Sequence, residues 1–203
     1  MSNNRKEEIV LATLDLAAQK GLANVSMSMI ADKIGIKKPS LYKHFESKDE
    51  IVEAMYQFLR KQAKEKANIK PMDYSTLFAG KTAFDILQSA VWGYMQMNHQ
   101  EQMLNFYKVI YSERGMNPMA AKIVAEETEK MIIATKQLFY AMEVHKKLHF
   151  ENADMSAVSF AMTIHGLMDY ELDQGYGGCK EEETDKNLIE DYLKWFCKEN
   201  AAG

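Results

Sequence analysis

The sequence has little proline, little cysteine and no long apolar run. Only three of its 203 residues are prolines, and this scarcity, together with scarce β-branched alternation, favours helices. The two cysteines, Cys179 and Cys197, match no metal-binding or redox spacing. No apolar run approaches the ~20 residues that span a bilayer, and the first residues, MSNNRKEE, lack an apolar signal core. We therefore expect a cytoplasmic helical protein with reduced thiols and no membrane partner.

Charge is distributed unevenly along the chain. The 25 Lys and Arg residues and 29 Asp and Glu residues give a net charge of −4. Residues 1–70 carry 13 basic and 9 acidic residues, whereas residues 71–203 carry 12 and 20. A basic first third followed by an acidic remainder indicates one module that faces a polyanion and another that does not. Chance scatter of surface charge is the alternative, which this asymmetry alone leaves open.

Apolar residues at helical spacing predict an all-α fold of about nine helices. The first four predicted helices cover residues 5–20, a short stretch that ends at Ile34, a stretch from Lys38 or Pro39 to Phe45, and residues 47–69. Five further helices are predicted at 80–98, 101–113, 118–148, 154–173 and 184–199. The fold class is therefore an N-terminal three-helix domain with a helix-turn-helix, followed by a C-terminal helical bundle.

The second and third predicted helices have the features of a helix-turn-helix. Ala31 is small enough to let two helices approach closely, and Gly35 supplies the turn between them. In the stretch KKPSLYKHF, residues 37–45, Leu41 and Phe45 lie four residues apart and are expected to face inward. The outward residues are then Lys37, Lys38, Pro39, Ser40, Tyr42, Lys43 and His44. A helix of this width fits the major groove of DNA, where lysines donate to guanine or neutralise phosphates. A helical hairpin with a solvated lysine face is the alternative.

A family resemblance rests on the residues in and around this motif. They are Ile9, Gly21, Ser26, Ile30, Ala31, Gly35, Leu41 to Phe45, and Ser47 to Asp49. This pattern resembles the N-terminal domain of tetracycline-repressor (TetR) family regulators. The resemblance covers residues 5 to about 58 and is most specific from Ile30 to Lys48. The rest of the chain agrees only in being helical and of the expected length.

The resemblance implies a homodimer that binds palindromic operator DNA. It implies a helix-turn-helix domain at 1–48 with a linking helix at 47–69, and a ligand-binding and dimerisation domain at 70–203. Residues 37–43 would be the recognition helix and the candidates for base contact. The implied DNA-binding residues are Ser26, Ser28, Lys37, Lys38, Pro39, Ser40, Tyr42, Lys43, His44 and Lys48.

Within that set the resemblance implies different roles. Tyr42 and His44 would contact phosphates, Lys48 would clamp a phosphate at the start of the fourth helix, and the backbone near Ser26 would add another contact. Lys37 departs from the family pattern, because a helix-capping Ser or Thr is common at its position. We therefore expect a recognition helix that lacks a side-chain cap.

Two sets of residues in the acidic remainder are candidates for dimerisation and for ligand binding. By the same resemblance the last two helices are the dimerisation candidates, and their apolar stripes, packed against their symmetry mates, would form a four-helix bundle. The candidate interface residues are Val158, Ala161, Met162, Met168, Leu188, Ile189, Tyr192, Leu193 and Phe196.

Soft and aromatic side chains of the middle helices suit a pocket for a small apolar or aromatic effector. The candidate pocket residues are Trp92, Met95, Met103, Phe106, Tyr107, Tyr111, Phe139, Met142 and His165. Both sets are also consistent with ordinary intramolecular core.

These features leave three candidate functions. The first is a homodimeric transcriptional repressor that a small effector releases from its operator. The second is a DNA-binding protein of the same fold that a protein partner controls. The third, a helical enzyme, is disfavoured because no nucleophile elbow, phosphate loop or metal-ligand set is present in the sequence. We therefore predict a non-enzymatic regulator without a catalytic residue, cofactor or metal. His145 and His149 lie four residues apart but lack a third metal ligand.

Overall fold

The computed structural model describes residues 2–66, 73–98, 101–178 and 187–202. These ranges contain ten α-helices, one 3-10 helix at Leu22–Asn24, and no strand beyond a single isolated bridge. The α-helices are α1 Ser2–Lys20, α2 Met27–Lys33, α3 Lys38–Tyr42, α4 Lys48–Lys66, α5 Tyr74–Phe78, α6 Ala83–Asn98, α7 Glu101–Glu113, α8 Pro118–Val144, α9 Ala153–Gly177 and α10 Leu188–Glu199. The predicted all-α class is confirmed.

Local signals explain the ends of the first helices. α1 ends before Gly21, whose φ of 79° suits a residue without a side chain. The Ser26 hydroxyl accepts a hydrogen bond from the Met29 amide at 3.3 Å and so caps α2. α2 stops before Gly35, which has a φ of 68°. α4 begins after Ser47, whose hydroxyl accepts from the Glu50 amide at 3.1 Å.

The structure adds one helix and moves several predicted boundaries, among them the end of α9, which lies at Gly177 rather than at residue 173. The additional helix α5 lies in a stretch predicted to be a loop and is capped by Asp73, which accepts from the Ser75 amide at 3.1 Å. α8 ends at Val144, short of residue 148, because Lys146 adopts a left-handed φ of 52°. α10 begins at Leu188, with Asn187 as its N-cap. The predicted helical residues 67–69 and 184–186 lie outside the described ranges.

The chain divides into two compact units. Unit 1 comprises Met1–Lys70 and Gln96–Ala125. Within it α1 packs against α2, α4 and α7, and its core includes fully buried Ile30, Leu41 and Met55. Unit 1 thus joins the first four helices to α7, whereas the sequence predicted domains of 1–48 and 70–203. That predicted division stays a prediction.

Unit 2 comprises Pro71–Met95 and Glu126–Gly203. Aromatic rings fill its core: Phe139 stacks on Phe150 with centroids 4.6 Å apart and planes 9° apart, and both rings contact Phe196. The segment after α8 is held by the end of the chain, since Leu148 and Ala201 form the isolated bridge. The His149 amide also donates to the Asn200 carbonyl at 3.0 Å.

Candidate DNA-binding site

The turn between α2 and α3 is fixed by backbone hydrogen bonds and by burial. The Ile36 amide donates to the Ala31 carbonyl at 3.0 Å across the turn. Ala31 is 1% exposed, so the two helices meet over a small side chain. Leu41 and Phe45 are 0% and 2% exposed, as their spacing predicted. The inward face of α3 is therefore anchored in the core of unit 1.

The opposite face of α3 points to solvent. Tyr42 is 45% exposed although its neighbour Leu41 is fully buried. The exposed residues of the segment also include Lys37, Lys38, Pro39 and Lys43, while Ser40 and His44 are half-buried. The Lys38 ammonium lies 6.0 Å from the centroid of the Tyr42 ring. Three cationic side chains and a phenol thus line one short helical surface, as a phosphate-bearing partner requires.

The start of α3 has no side-chain cap. Lys37 occupies the N-cap position with extended backbone, and its side chain accepts no hydrogen bond from the helix. Pro39 lies in the first turn, where a missing amide hydrogen costs little. The expectation of an uncapped recognition helix is therefore confirmed. Pro39 has no amide hydrogen, and the Ser40 and Leu41 amides donate to the Lys37 carbonyl at 2.8 and 3.4 Å.

Ser26 lies just before α2 and Ser28 lies in its first turn, and both serines are exposed. Ser26 caps the helix, whereas no cap bond involves Ser28. Their predicted contact with DNA phosphates stays a prediction.

Lys48, the predicted phosphate clamp, has a partner inside the protein. Its Nζ donates to the carbonyl oxygen of Leu22 at 3.1 Å, in a partly buried contact that spans 26 residues of sequence. The same carbonyl accepts from the Val25 amide at 3.2 Å and so closes the 3-10 helix. The sequence did not predict this contact, because no local pattern links the start of α4 to the α1–α2 connection.

Two further lysines of unit 1 also interact within the protein. Lys33, at the end of α2, donates a hydrogen bond to Asp15 of α1. The bond from Lys33, with a second from Gln19, holds the pKa of the Asp15 carboxyl below its usual value. The Lys6 ammonium lies 4.9 Å from the centroid of the Phe45 ring. Charge counting alone would have assigned these lysines to the face that meets DNA.

The nine candidate ligand residues fall into two hydrophobic clusters. Met103, Phe106, Tyr107 and Tyr111 belong to the cluster of unit 1. Trp92, Met95, Phe139 and Met142 belong to that of unit 2. His165 of α9 lies in unit 2, with its Nδ1 3.4 Å from the Asp169 carboxylate. Phe139 and Met142 are fully buried among core residues. The sequence identified apolar faces but could not predict which cluster each face joins, and the ligand role of the set stays a prediction.

A groove in unit 1 contains none of these nine residues. Its walls are formed by α1, α4 and Phe45, with Lys6, Glu7, Glu53 and Phe58 among the lining residues. The lining mixes acidic and basic side chains and is only partly apolar.

The nine candidate interface residues are also divided by burial. Ala161, Ile189, Leu193 and Phe196 are at most 5% exposed and belong to the core of unit 2. Val158, Met168 and Tyr192 are half-buried, while Met162 and Leu188 are 51% and 39% exposed. The interface role of the set stays a prediction. Sequence reasoning missed four exposed apolar residues on α9 and α10, which are Met155, Tyr170, Leu172 and Trp195. A signal for Met155 and Trp195 was present, because Met155 precedes Met162 by seven residues and Trp195 follows Leu188 by seven.

Two features are absent from the described ranges. No helix there combines the length and apolarity needed to cross a bilayer. No group of three or more potential metal-ligating side chains is found in those same ranges.

Comparison with known proteins agrees with this geometry. Residues 9–55, which contain the helix-turn-helix, match the model of the family "Bacterial regulatory proteins, tetR family". The nucleoid occlusion factor SlmA of Marinomonas sp. (strain MWYL1) is 22% identical over 153 residues, which cover 75% of this chain and 69% of that protein.

Two solved structures share the fold over nearly the whole chain. A TetR-family transcriptional regulator from Cytophaga hutchinsonii superposes with a TM-score of 0.69 at 13% identity, covering 100% of this chain and 97% of that one. A transcriptional regulator from Saccharomonospora viridis, solved in complex with choline, gives a TM-score of 0.69 at 18% identity, covering 99% of both chains.

The exposed basic face of α3, the glycine turn before it and the match over 9–55 define a helix-turn-helix DNA-binding regulator. Residues 9–55 match the TetR-family model, and the described chain shares the fold of a solved TetR-family regulator. The two solved structures that share this fold are transcriptional regulators.

Proposed function

We propose that this chain is a homodimeric cytoplasmic repressor that binds a palindromic operator and is released by a small molecule. The observation that carries the proposal is the two-sided character of α3, where Leu41 is fully buried while Tyr42 is 45% exposed. A helix anchored on one side and cationic on the other can enter a major groove without unfolding.

The exposed residues of α3 are proposed to have two roles, contact with base edges and contact with phosphates. Lys38 and Ser40, in the first turns of the helix, are proposed to meet base edges, since the N-terminal part of a recognition helix reaches them. Lys37 and Pro39 belong to the same face. Tyr42, Lys43 and His44 are proposed to contact phosphates, with the exposed Ser26 and Ser28 adding contacts at the start of α2.

Dimerisation would use the apolar residues that the protomer leaves exposed. Met155 and Met162 on α9 form one seven-residue pair, and Leu188 and Trp195 on α10 form another. Met155 and Trp195 are 61% and 55% exposed, and exposed apolar residues at this spacing are typical of helix–helix interfaces. Half-buried Tyr192, whose ring centroid lies 5.8 Å from that of Trp195, would lie at the edge. The dimer would then place its two recognition helices ~34 Å apart, one turn of DNA.

An effector is supported by composition and by one structural relative. Tyr107 and Tyr111 in unit 1 and, separately, Trp92 in unit 2 are half-buried aromatic side chains of a kind that suits an apolar or aromatic molecule. The Saccharomonospora viridis protein, which shares the fold, was solved with choline. Such an effector would lower operator affinity by binding the DNA-free conformation more tightly.

Control by a protein partner is the second candidate. It is favoured by the similarity to SlmA, which is described as a nucleoid occlusion factor. Both candidate functions include DNA binding. They differ in whether a small molecule or a protein partner changes the DNA affinity.

A gel-shift titration tests the proposal, using the DNA that flanks the chain's own gene and a scrambled palindrome as control. A complex of nanomolar affinity with steep salt dependence is expected, and a small-molecule library should contain compounds that release it. If DNA binding is present but no compound releases it, control by a protein partner is favoured. Absence of a complex at low salt on every nearby palindrome would contradict both candidates.

A further inference from the structure

The hydrogen bond between Lys48 and Leu22 links the two ends of the helix-turn-helix. Leu22 precedes α2 by five residues, and Lys48 follows the last residue of α3 by six. The 3.1 Å bond from the Lys48 ammonium to the Leu22 carbonyl therefore joins the entry of α2 to the exit of α3. Both ends of this link are anchored, because Leu22 is 6% exposed and Lys48 begins a 19-residue helix.

A lysine at this position needs a compensating contact. The first turn of a helix carries a partial positive charge, so an ammonium there is unfavourable and acidic residues are preferred. α4 follows that preference with Asp49 and Glu50 directly after Lys48. The Leu22 carbonyl supplies the compensation, since an ammonium–carbonyl bond is stronger than one between neutral groups.

We infer that Lys48 is a positioning residue, which acts on operator affinity by fixing α2 and α3 against the start of α4. This inference rests on the proposed operator binding by α3. The resemblance to the family implied a different role for Lys48, that of a phosphate clamp. Both roles predict weaker DNA binding when the lysine is removed, so loss of affinity alone does not separate them.

Salt dependence and thermal stability do separate the two roles. A lost phosphate contact reduces the slope of log affinity against log salt by about one per protomer. A lost internal contact lowers affinity by a similar factor at every salt concentration and also lowers the melting temperature. Lys48→Met removes the charge and the donor while keeping an unbranched side chain that is only one heavy atom shorter. Lys48→Gln removes the charge but keeps an amide donor for the Leu22 carbonyl.

We expect Lys48→Met to weaken operator binding about three- to tenfold with an unchanged salt slope, and to lower the melting temperature by about 2–4 °C. Lys48→Gln should recover part of both losses. Lys43→Met is the matched control, because Lys43 is exposed and its loss should reduce the salt slope while leaving the melting temperature unchanged. A salt slope lowered by about one in Lys48→Met, with or without a lower melting temperature, would overturn the inference. A Lys48→Met protein that melts and binds like wild type would overturn it too. The wild-type titration reports separately on the proposed operator binding.

Discussion

The Lys38 ammonium lies over the Tyr42 ring, 6.0 Å from its centroid and one helical turn away along α3. Both side chains are exposed on the face that the buried Leu41 leaves outward. A cation near an aromatic face restricts both groups at modest energetic gain. The pair therefore holds the Lys38 ammonium in a defined position beside the Tyr42 phenol. This arrangement suits a contact from Lys38 to a base edge and a contact from Tyr42 to the neighbouring phosphate.

Replacement of Lys38 should change the operator preference of the protein. We expect Lys38→Ala to alter the ranking among operators with single base changes, because a bidentate base contact is worth about 1–3 kcal/mol of discrimination. Competition binding with a panel of such operators measures this. Lys20→Ala, which removes an equal charge from the end of α1, should at most weaken all operators alike. An identical ranking for wild type and Lys38→Ala would remove Lys38 from the residues that read sequence.

Removal of the N-cap of α2 should destabilise the protein. Ser26→Ala deletes the acceptor of the Met29 amide and should cost about 1 kcal/mol in the free energy of unfolding by urea. Ser28→Ala is the control, with an expected change within about 0.5 kcal/mol. Ser26→Asp keeps a cap but adds a negative charge, so it should preserve stability while weakening DNA binding. Equal stability of the two alanine variants would contradict the capping role.

Charge placed on the proposed interface should separate the dimer without unfolding the protomer. Met162→Glu and Trp195→Glu alter residues that are 51% and 55% exposed, so we expect folded monomers by sedimentation and circular dichroism. Met116→Glu is the control, since Met116 is 91% exposed on the turn between α7 and α8. A dimer that survives both interface substitutions would place the interface elsewhere.

The hydroxyl of Tyr56 should be dispensable for stability. Tyr56 is 1% exposed, and among the described residues its hydroxyl has no hydrogen-bond partner. Burial, with Glu113 contributing, raises the pKa of this phenol to about 12. A buried polar group without a partner costs about 1–3 kcal/mol, so Tyr56→Phe should leave the free energy of unfolding unchanged or higher. Leu59→Ala on the same helix should instead cost about 2–5 kcal/mol. A Tyr56→Phe protein destabilised by more than about 1 kcal/mol would show that the hydroxyl has a partner.

The thiol of Cys197 should react slowly in the folded protein. Burial raises its pKa from 9.0 to about 11, and only the thiolate reacts. At pH 8, where both pKa values lie above the solution pH, this rise lowers the thiolate fraction about 100-fold. Labelling with a thiol reagent in a Cys179→Ser background measures the rate, and urea should restore an ordinary one. Equal rates in the folded and unfolded protein would contradict the burial of this side chain.

Local sequence signals predicted much of unit 1. The cap at Ser26, the glycine turn at Gly35 and the inward pair Leu41 and Phe45 each depend on neighbouring residues, and the structure contains all of them. The contact from Lys48 to Leu22 joins distant parts of the chain and leaves no periodic trace, so sequence reasoning missed it.

Unit 2 was less predictable because its helices have several apolar faces. Leu193 and Trp195 are both large and apolar, yet one is fully buried and the other is 55% exposed. Which face of α10 turns inward is decided by the aromatic core around Phe139, and the sequence pattern does not encode that choice locally. The segment after α8 likewise pairs with a distant part of the chain, since Leu148 forms a bridge with Ala201.

The most direct test of the account compares wild type with a variant in which Lys37, Lys38 and Lys43 are all alanine, on the DNA that flanks the gene. These lysines are exposed, so circular dichroism should show an unchanged fold. We predict nanomolar wild-type binding with steep salt dependence, and a loss of at least about 100-fold together with a flatter salt slope in the variant. A folded variant that binds this DNA as tightly as wild type would contradict the claim that the outward face of α3 recognises the operator.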